Sequence, residues 1–385
     1  MYKPKYELAD IIKCYQSDFA SRCNILKDHL RVLHAIEKCR TSELGGHVSQ
    51  CDSCSHLKIS YNSCRNRHCP KCQSSNREQW VESRNQDLIP ATYFHVVFTL
   101  PQELNKYCIK YPKEVYNILF KASKATIEDF AKDKKYLGAQ TGMISILHTW
   151  GQNLSLHPHV HMIVPGGGID DQGRWIRTKS NLFLFPVKAM SVVYKNKFIN
   201  MLSALLKLKE MDFDIAERNK LFGKKWVVYA KQPFAGPSQV IEYLGRYTHK
   251  IAISNHRIQS IESGKVSFTY KDYAHGGVQK IMTLECIEFL RRFCMHILPP
   301  QFTKIRHYGI LSSRNKAKLR FIQFRLGINV AIIEKSNWKK IYIEKYHFDP
   351  DSCPCCKTGK MIRILSFSSI PPPIANLQIL QINTL

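Results

Sequence analysis

Between residues 51 and 72 the chain places Cys51-x-x-Cys54 and Cys69-x-x-Cys72 in a segment too polar to build a core of its own. Two such knuckles joined by a short hairpin can hold four thiolates tetrahedrally around one zinc, and a small polar segment needs a staple of that kind to fold. Cys51, Cys54, Cys69 and Cys72 are therefore the expected ligands of one structural Zn2+. Cys39, His47, Cys64 and His68 are left over, and they either build a second site or are bystanders, since no regular spacing joins them. Fourteen cysteines would suit a disulfide framework in a secreted chain, but the N-terminus lacks the apolar block of a signal peptide. No apolar run reaches the roughly 18 residues of a membrane span. The expectation is a cytoplasmic protein, not attached to a membrane, whose clustered cysteines bind metal.

Leu156 to Gly168, reading Leu-His-Pro-His-Val-His-Met-Ile-Val-Pro-Gly-Gly-Gly, is the second constraint. On a strand successive side chains point to opposite faces, so His159 and His161 point the same way while Val160 turns to the core. Two such imidazoles make half of a divalent-metal site. The stretch Gly142–Gly151 reads as the preceding strand of a hairpin, and Tyr93–Leu100 as a further buried strand. Residues Ser74 to Asp87, Pro101 to about Lys134, and Pro186 to Leu208 read as helical, and Lys225–Lys231 as a strand. Ser238 can cap a short helix over 239–249, in which Tyr243 and Tyr247 stand one turn apart and share a face. Ile251–Asp272 alternates as a hairpin around Gly264, Thr283–Leu298 reads as an amphipathic helix, and the tail from Gln301 is basic. Cys353-Pro-Cys-Cys356 shows half a ligand set, and the last fifteen or so residues are expected to be loosely ordered.

Lysine and arginine number 57 against 30 acidic residues, a net charge of +27 that points to a polyanion, most simply nucleic acid. With a His-x-His half-site and a tyrosine pair, the chemistry suggested is phosphoryl transfer. A divalent metal polarises a scissile phosphate, and a phenol attacks it to store the bond energy as a phosphotyrosine. A non-catalytic zinc-ribbon DNA-binding protein explains the charge and the cysteines but not the histidines and tyrosines. A metal-dependent nuclease using activated water needs no tyrosines.

His159-Val-His161 with the downstream tyrosine pair resembles the HUH endonucleases. Together with Tyr-Asn-Ser-Cys-Arg-Asn-Arg-His-Cys-Pro-Lys-Cys-Gln at 61–73, Thr-Trp-Gly-Gln-Asn-Leu at 149–154 and Tyr-Leu-Gly-Arg-Tyr-Thr-His-Lys at 243–250, it resembles the two-tyrosine transposases of the insertion sequence ninety-one family, from about residue 25 to about 365. The resemblance implies a rolling-circle transposase that nicks single-stranded DNA at the element's ends and joins it to target DNA. It implies an α+β fold: an N-terminal helical and zinc-ribbon domain (1–90) that binds DNA, a ferredoxin-like catalytic core with an antiparallel sheet and helices on one side (91–310), and a basic C-terminal region (311–385). It makes His159 and His161 ligands of Mg2+ or Mn2+, and Tyr243 and Tyr247 the nucleophiles. A third ligand is expected upstream on the neighbouring strand, where both Gln152 and His148 qualify and Gln152 is preferred as nearer the turn; His157 and His249 are weaker candidates. Arg65, Arg67, Lys71 and Arg246 are the expected DNA contacts. Cys353 and Cys356 match a family knuckle, with Cys355 an additional thiol.

Overall fold

Five β-branched and aromatic runs pair into one sheet: Tyr93–Thr99 (β3), Gly142–Trp150 (β4), Leu156–Pro165 (β5), Val228–Lys231 (β8) and Ile305–Gly309 (β12), in the order β12-β4-β5-β3-β8. Every pairing is antiparallel. In this computed structural model the described residues are 4–72, 83–180, 184–231, 250–328 and 338–368, with positions 78, 80, 81, 239, 240, 245 and 248. Strand alternation sends Phe94, Val96 and Phe98 of β3, and Val160, Met162 and Val164 of β5, into the main core. There they meet Leu119 and Phe120 of helix α4 (Pro112–Lys132) and Tyr194 and Phe198 of helix α5 (Val187–Leu208), all almost fully buried. Each such side chain contributes roughly 1.5–3 kcal/mol by leaving water, which fixes both long helices on this face. The opposite face carries the histidines and a small cluster of Tyr93, Ile146, Ile163 and Val240.

The helical stretch expected from Pro101 to about Lys134 divides into α3 (Asn105–Lys110) and α4, and Tyr111 between them leaves helical geometry at φ −131° and ψ 58°. The residue before a proline is pushed out of the α region, whereas Pro112 itself suits the first helical turn. Helix α6 (Ile215–Gly223) starts where the Asp214 carboxylate accepts from the Ala216 and Glu217 amides. Gly167–Ile169 (β6) and Trp175–Arg177 (β7) form a two-stranded ribbon beyond the histidine strand.

Two compact units emerge, one from residues 1–79, 253–294 and 335–385, the other from 80–252 and 295–334. They do not follow the linear division at 90 and 310 read from the sequence, because strands far apart in the chain pair with one another. In the first unit, helices α1 (Leu8–Arg22) and α2 (Lys27–Glu37) precede β1 (Gly46–Cys51) and β2 (Leu57–Tyr61). Met361–Phe367 (β13) closes that sheet by pairing antiparallel with β1 from Gly46↔Phe367 to Cys51↔Met361. A second sheet of β9 (Ile258–Glu262), β10 (Lys265–Asp272) and β11 (Val278–Glu285) turns at Gly264, whose φ of +75° favours glycine. The helix expected from Thr283 starts only at Cys286 (α7, Cys286–Cys294), since Val278–Glu285 pairs along its whole length with β10. The basic tail contributes the edge strand β12 and helix α8 (Lys316–Arg325), and α9 (Trp338–Tyr346) precedes the last knuckle.

Candidate functional site

The β4–β5 hairpin sets His148 opposite His159 and Ile146 opposite His161, so the three imidazoles share the sheet face away from the main core. Their nitrogens converge to within 4.8 Å of one another. The ring centroids of His148 stand 5.4 Å from His159 and 4.7 Å from His161. Nδ1 of His159 donates to the His157 carbonyl at 2.6 Å, and Nδ1 of His161 lies 2.9 Å from Nε2 of His95 on the adjoining strand. With Nδ1 engaged in both rings, Nε2 is the nitrogen each can offer a metal, and the partner at Nδ1 fixes the ring's orientation.

Desolvation pushes His159 down to about 4, against the hydrogen bond to His157 that raises it, and His157, His95 and Lys250 add to the lowering. Burial likewise holds His161 well below its ordinary value, reinforced by His159, His95, Lys250 and Lys304. Near neutral pH both rings are uncharged and present lone pairs. Three imidazoles on rigid strands, two of them held neutral, are a donor set suited to a divalent transition metal.

The third imidazole is His148. Gln152, preferred from the sequence, lies in the turn after a register irregularity between His148 and Trp150. That turn is fixed from below. His296 accepts from Thr149 at 3.3 Å and donates to the Leu154 carbonyl at 3.1 Å, and burial pushes it down to about 4. His148 was the alternative third ligand offered by the sequence, whereas sequence reasoning missed His95; its only signal was a polar residue inside the apolar run 93–98. Tyr243, Arg246, Tyr247 and His249 lie outside the described residues. Of the same stretch, Val240 packs with Ile146 and Ile163, on the histidine face of the sheet.

The cysteines divide differently from the expected single site. Cys51 and Cys54 group with Cys353 and Cys356, while Cys69 and Cys72 group with Cys39 and Cys64. The reason is topological: the β1–β13 ladder carries the last knuckle to the Cys51 knuckle, and Cys39, just past α2, meets the loop from Cys64 to Cys72. A Zn–S bond of about 2.3 Å sets tetrahedral thiolates about 3.8 Å apart. Cys51 and Cys54 stand 3.7 Å from Cys356 and Cys353, and Cys72 stands 3.5 Å from Cys39 and 3.6 Å from Cys64. Knuckle amides point at sulfur, Ser53 at Cys51 (3.4 Å), Cys355 at Cys353 (3.4 Å) and Gly359 at Cys356 (3.3 Å), as thiolates require. Gly359 has no room for more, since a Cβ there would lie 2.5 Å from the Cys51 sulfur. Cys355 is exposed and outside both groups.

Of the expected DNA contacts in this region, Arg65 is exposed at a φ of 53° and Arg67 is half-buried. Lys71 turns inward instead, pairing with Glu7 at 2.5 Å and donating to the Cys39 carbonyl at 3.1 Å, so its charge braces the knuckle. Among the described residues no helix is long and apolar enough to cross a membrane.

A family model described as "Putative transposase" matches residues 142–318, and one described as "Transposase zinc-binding domain" matches 11–100. The "Putative transposase y4qJ" of Sinorhizobium fredii is 42% identical, over 95% of this chain and 97% of that protein. The transposase for insertion sequence element IS801 of Pseudomonas savastanoi pv. phaseolicola is 30% identical, over 72% of this chain and 68% of that protein. Among solved structures, the conjugative relaxase TrwC in complex with oriT DNA matches at 10% identity and a TM-score of 0.25, over 40% of this chain and 71% of that one. The histidine hairpin and the Cys39–Cys72 zinc group both fall inside the matched segments, and the chain belongs to the insertion sequence ninety-one family of transposases.

Proposed function

We propose that the chain cleaves and transfers single-stranded DNA through a 5′-phosphotyrosine, with Tyr243 and Tyr247 as nucleophiles and His148, His159 and His161 as ligands of a divalent ion, Mg2+ or Mn2+. The observation that carries this reading is the convergence of three imidazoles within 4.8 Å on one sheet face. When bound, the ion would polarise a scissile phosphate and stabilise charge developing on its oxygens. His95 and the His157 carbonyl hold two of the rings with Nε2 outward. Lys250 and Lys304, whose fields reach His161, add positive charge where a phosphate would sit. A tyrosine oxygen then forms the bond to phosphorus as the P–O3′ bond breaks. The phenol gives up its proton, and the leaving oxygen becomes a 3′-hydroxyl. The ester holds the energy of the broken phosphodiester, so a 3′-hydroxyl at the target can attack it and rejoin DNA without a nucleotide cofactor.

Val240 supports the assignment of the tyrosines, because it lies on the histidine face three residues before Tyr243. The test is incubation with labelled single-stranded element ends and Mn2+, followed by denaturing electrophoresis. Wild-type protein should give a covalent adduct, Tyr243→Phe and Tyr247→Phe should each keep one adduct but fail in strand transfer, and the double variant should give none. An adduct from the double variant would remove both tyrosines from the mechanism.

A further inference from the structure

The sheet that carries the Cys51 knuckle has a face that no role above uses. His47 and Ser49 of β1 stand opposite Ser60 and Lys58 of β2, and Ser49 also faces Arg363 of β13. Cross-strand partners project to the same side, so these five side chains share one surface. They line a recess of about 390 Å3 whose wall includes Lys339, Lys360 and Asp351. The floor is short and hydroxylic. Lys58, Lys360 and Arg363 are exposed around it, and four cations stand against one carboxylate, Asp351, which Lys339 already holds at 2.5 Å. His47 adds no charge of its own near neutral pH, because burial, then Arg363 and Lys58, lower its proton affinity.

Hydroxyl donors in the recess and exposed cations around it match the oxygens of a phosphodiester, which take short hydrogen bonds and diffuse positive charge together. The charge excess also tells against a neutral or cationic partner. We infer that this face of the zinc ribbon, built on Ser49, Ser60, Lys58, Lys360 and Arg363, binds the phosphate backbone of a DNA strand and positions it without reading its sequence. The inference rests on the reading of the chain as an enzyme acting on DNA, and it adds a backbone site separate from the histidine centre. It also explains why a strand from the far end of the chain matters here, since Arg363 and Lys360 reach the recess only through the β1–β13 ladder.

The full chain carrying Lys58→Gln with Arg363→Gln, and separately Lys360→Gln, is titrated by fluorescence anisotropy with a labelled single-stranded oligonucleotide across salt concentrations, and zinc content is measured on each protein. Each lost phosphate contact should lower the salt slope by about 0.7, hence about 1.4 for the pair. Affinity should fall roughly tenfold per charge, as for a charge-assisted hydrogen bond, with zinc unchanged. Equal affinity and slope in the variants, in a wild-type protein that binds DNA and forms the covalent adduct, would overturn this face alone. Weaker binding accompanied by loss of zinc also counts against it. A wild-type protein that binds no DNA at low salt would overturn both the face and the function proposed above.

Discussion

Replacing Cys353 and Cys356 by serine should release one zinc and open the longest loop the metals close. Cys51 and Cys356 are 305 residues apart. In the chain-entropy view, tying together a span of that length removes roughly 6 kcal/mol of unfolded-state freedom at room temperature, more than a small sheet can supply on its own. The β1–β13 ladder pairs six residues of β1 with the returning strand and depends on the same closure. It should therefore come apart with the metal. Metal analysis of the full chain should fall from two zinc ions to one, and hydrogen exchange should show protection lost across Met361–Phe367 while amides of β5 stay protected. The complementary variant, Cys69→Ser with Cys72→Ser, should also keep one zinc yet leave β13 protected. If Cys51, Cys54, Cys69 and Cys72 shared a single ion, wild-type protein would carry one zinc and the Cys353/Cys356 variant would still carry it. That result would refute the pairing described here.

His148→Ala should lower metal-dependent nicking by at least about a hundredfold through loss of a metal ligand, while Gln152→Ala costs far less; single-turnover nicking with Mn2+ compares them, and the reverse order would return the third ligand to Gln152. His296, held near 4 by burial, binds no proton in the folded chain until well below the value of about 6.5 at which its unfolded imidazole titrates. Stability from this group is therefore complete above about pH 6.5 and declines as pH falls toward about 4, by about 3 kcal/mol in all. His296→Asn should flatten that decline in urea unfolding followed at about pH 7 and about pH 5, and an unchanged slope would show that other groups set the acid sensitivity.

The histidine hairpin was legible because it is local: alternation of period two, a turn, and a glycine stop specify β4 and β5 from a short stretch of chain. The α+β class and the placement of helices on one sheet face were implied by the family likeness, while periodicity supplied the long helices themselves. What escaped the sequence is what depends on distant pairing. Cys51-x-x-Cys54 and Cys69-x-x-Cys72 have the spacing of one complete site, and only β13 and the end of α2 show that each is half of another. Likewise Val278–Glu285 carries exposed apolar residues that suit either a helix approach or a strand, and its ladder with β10 decides for strand. His95 acquires a role only because β3 lies beside β5 and brings it to His161.

The separation of Cys51 and Cys54 from their partners has a consequence for synthesis. A ribosome adding about 5–20 residues per second needs roughly 15–60 seconds to pass from the first knuckle to the second. For most of that interval the first two thiolates are outside the ribosome with half a coordination sphere, while the strands that carry the histidines are made and can fold. The Cys39–Cys72 group, contained within the first part of the chain, can take its metal early. Metal loading is thereby ordered in time. A polypeptide interrupted between β12 and Cys353 would hold the histidine strands and the Cys39–Cys72 group but lack the β13 strand, so the ribbon closes only after translation has run through to the far knuckle.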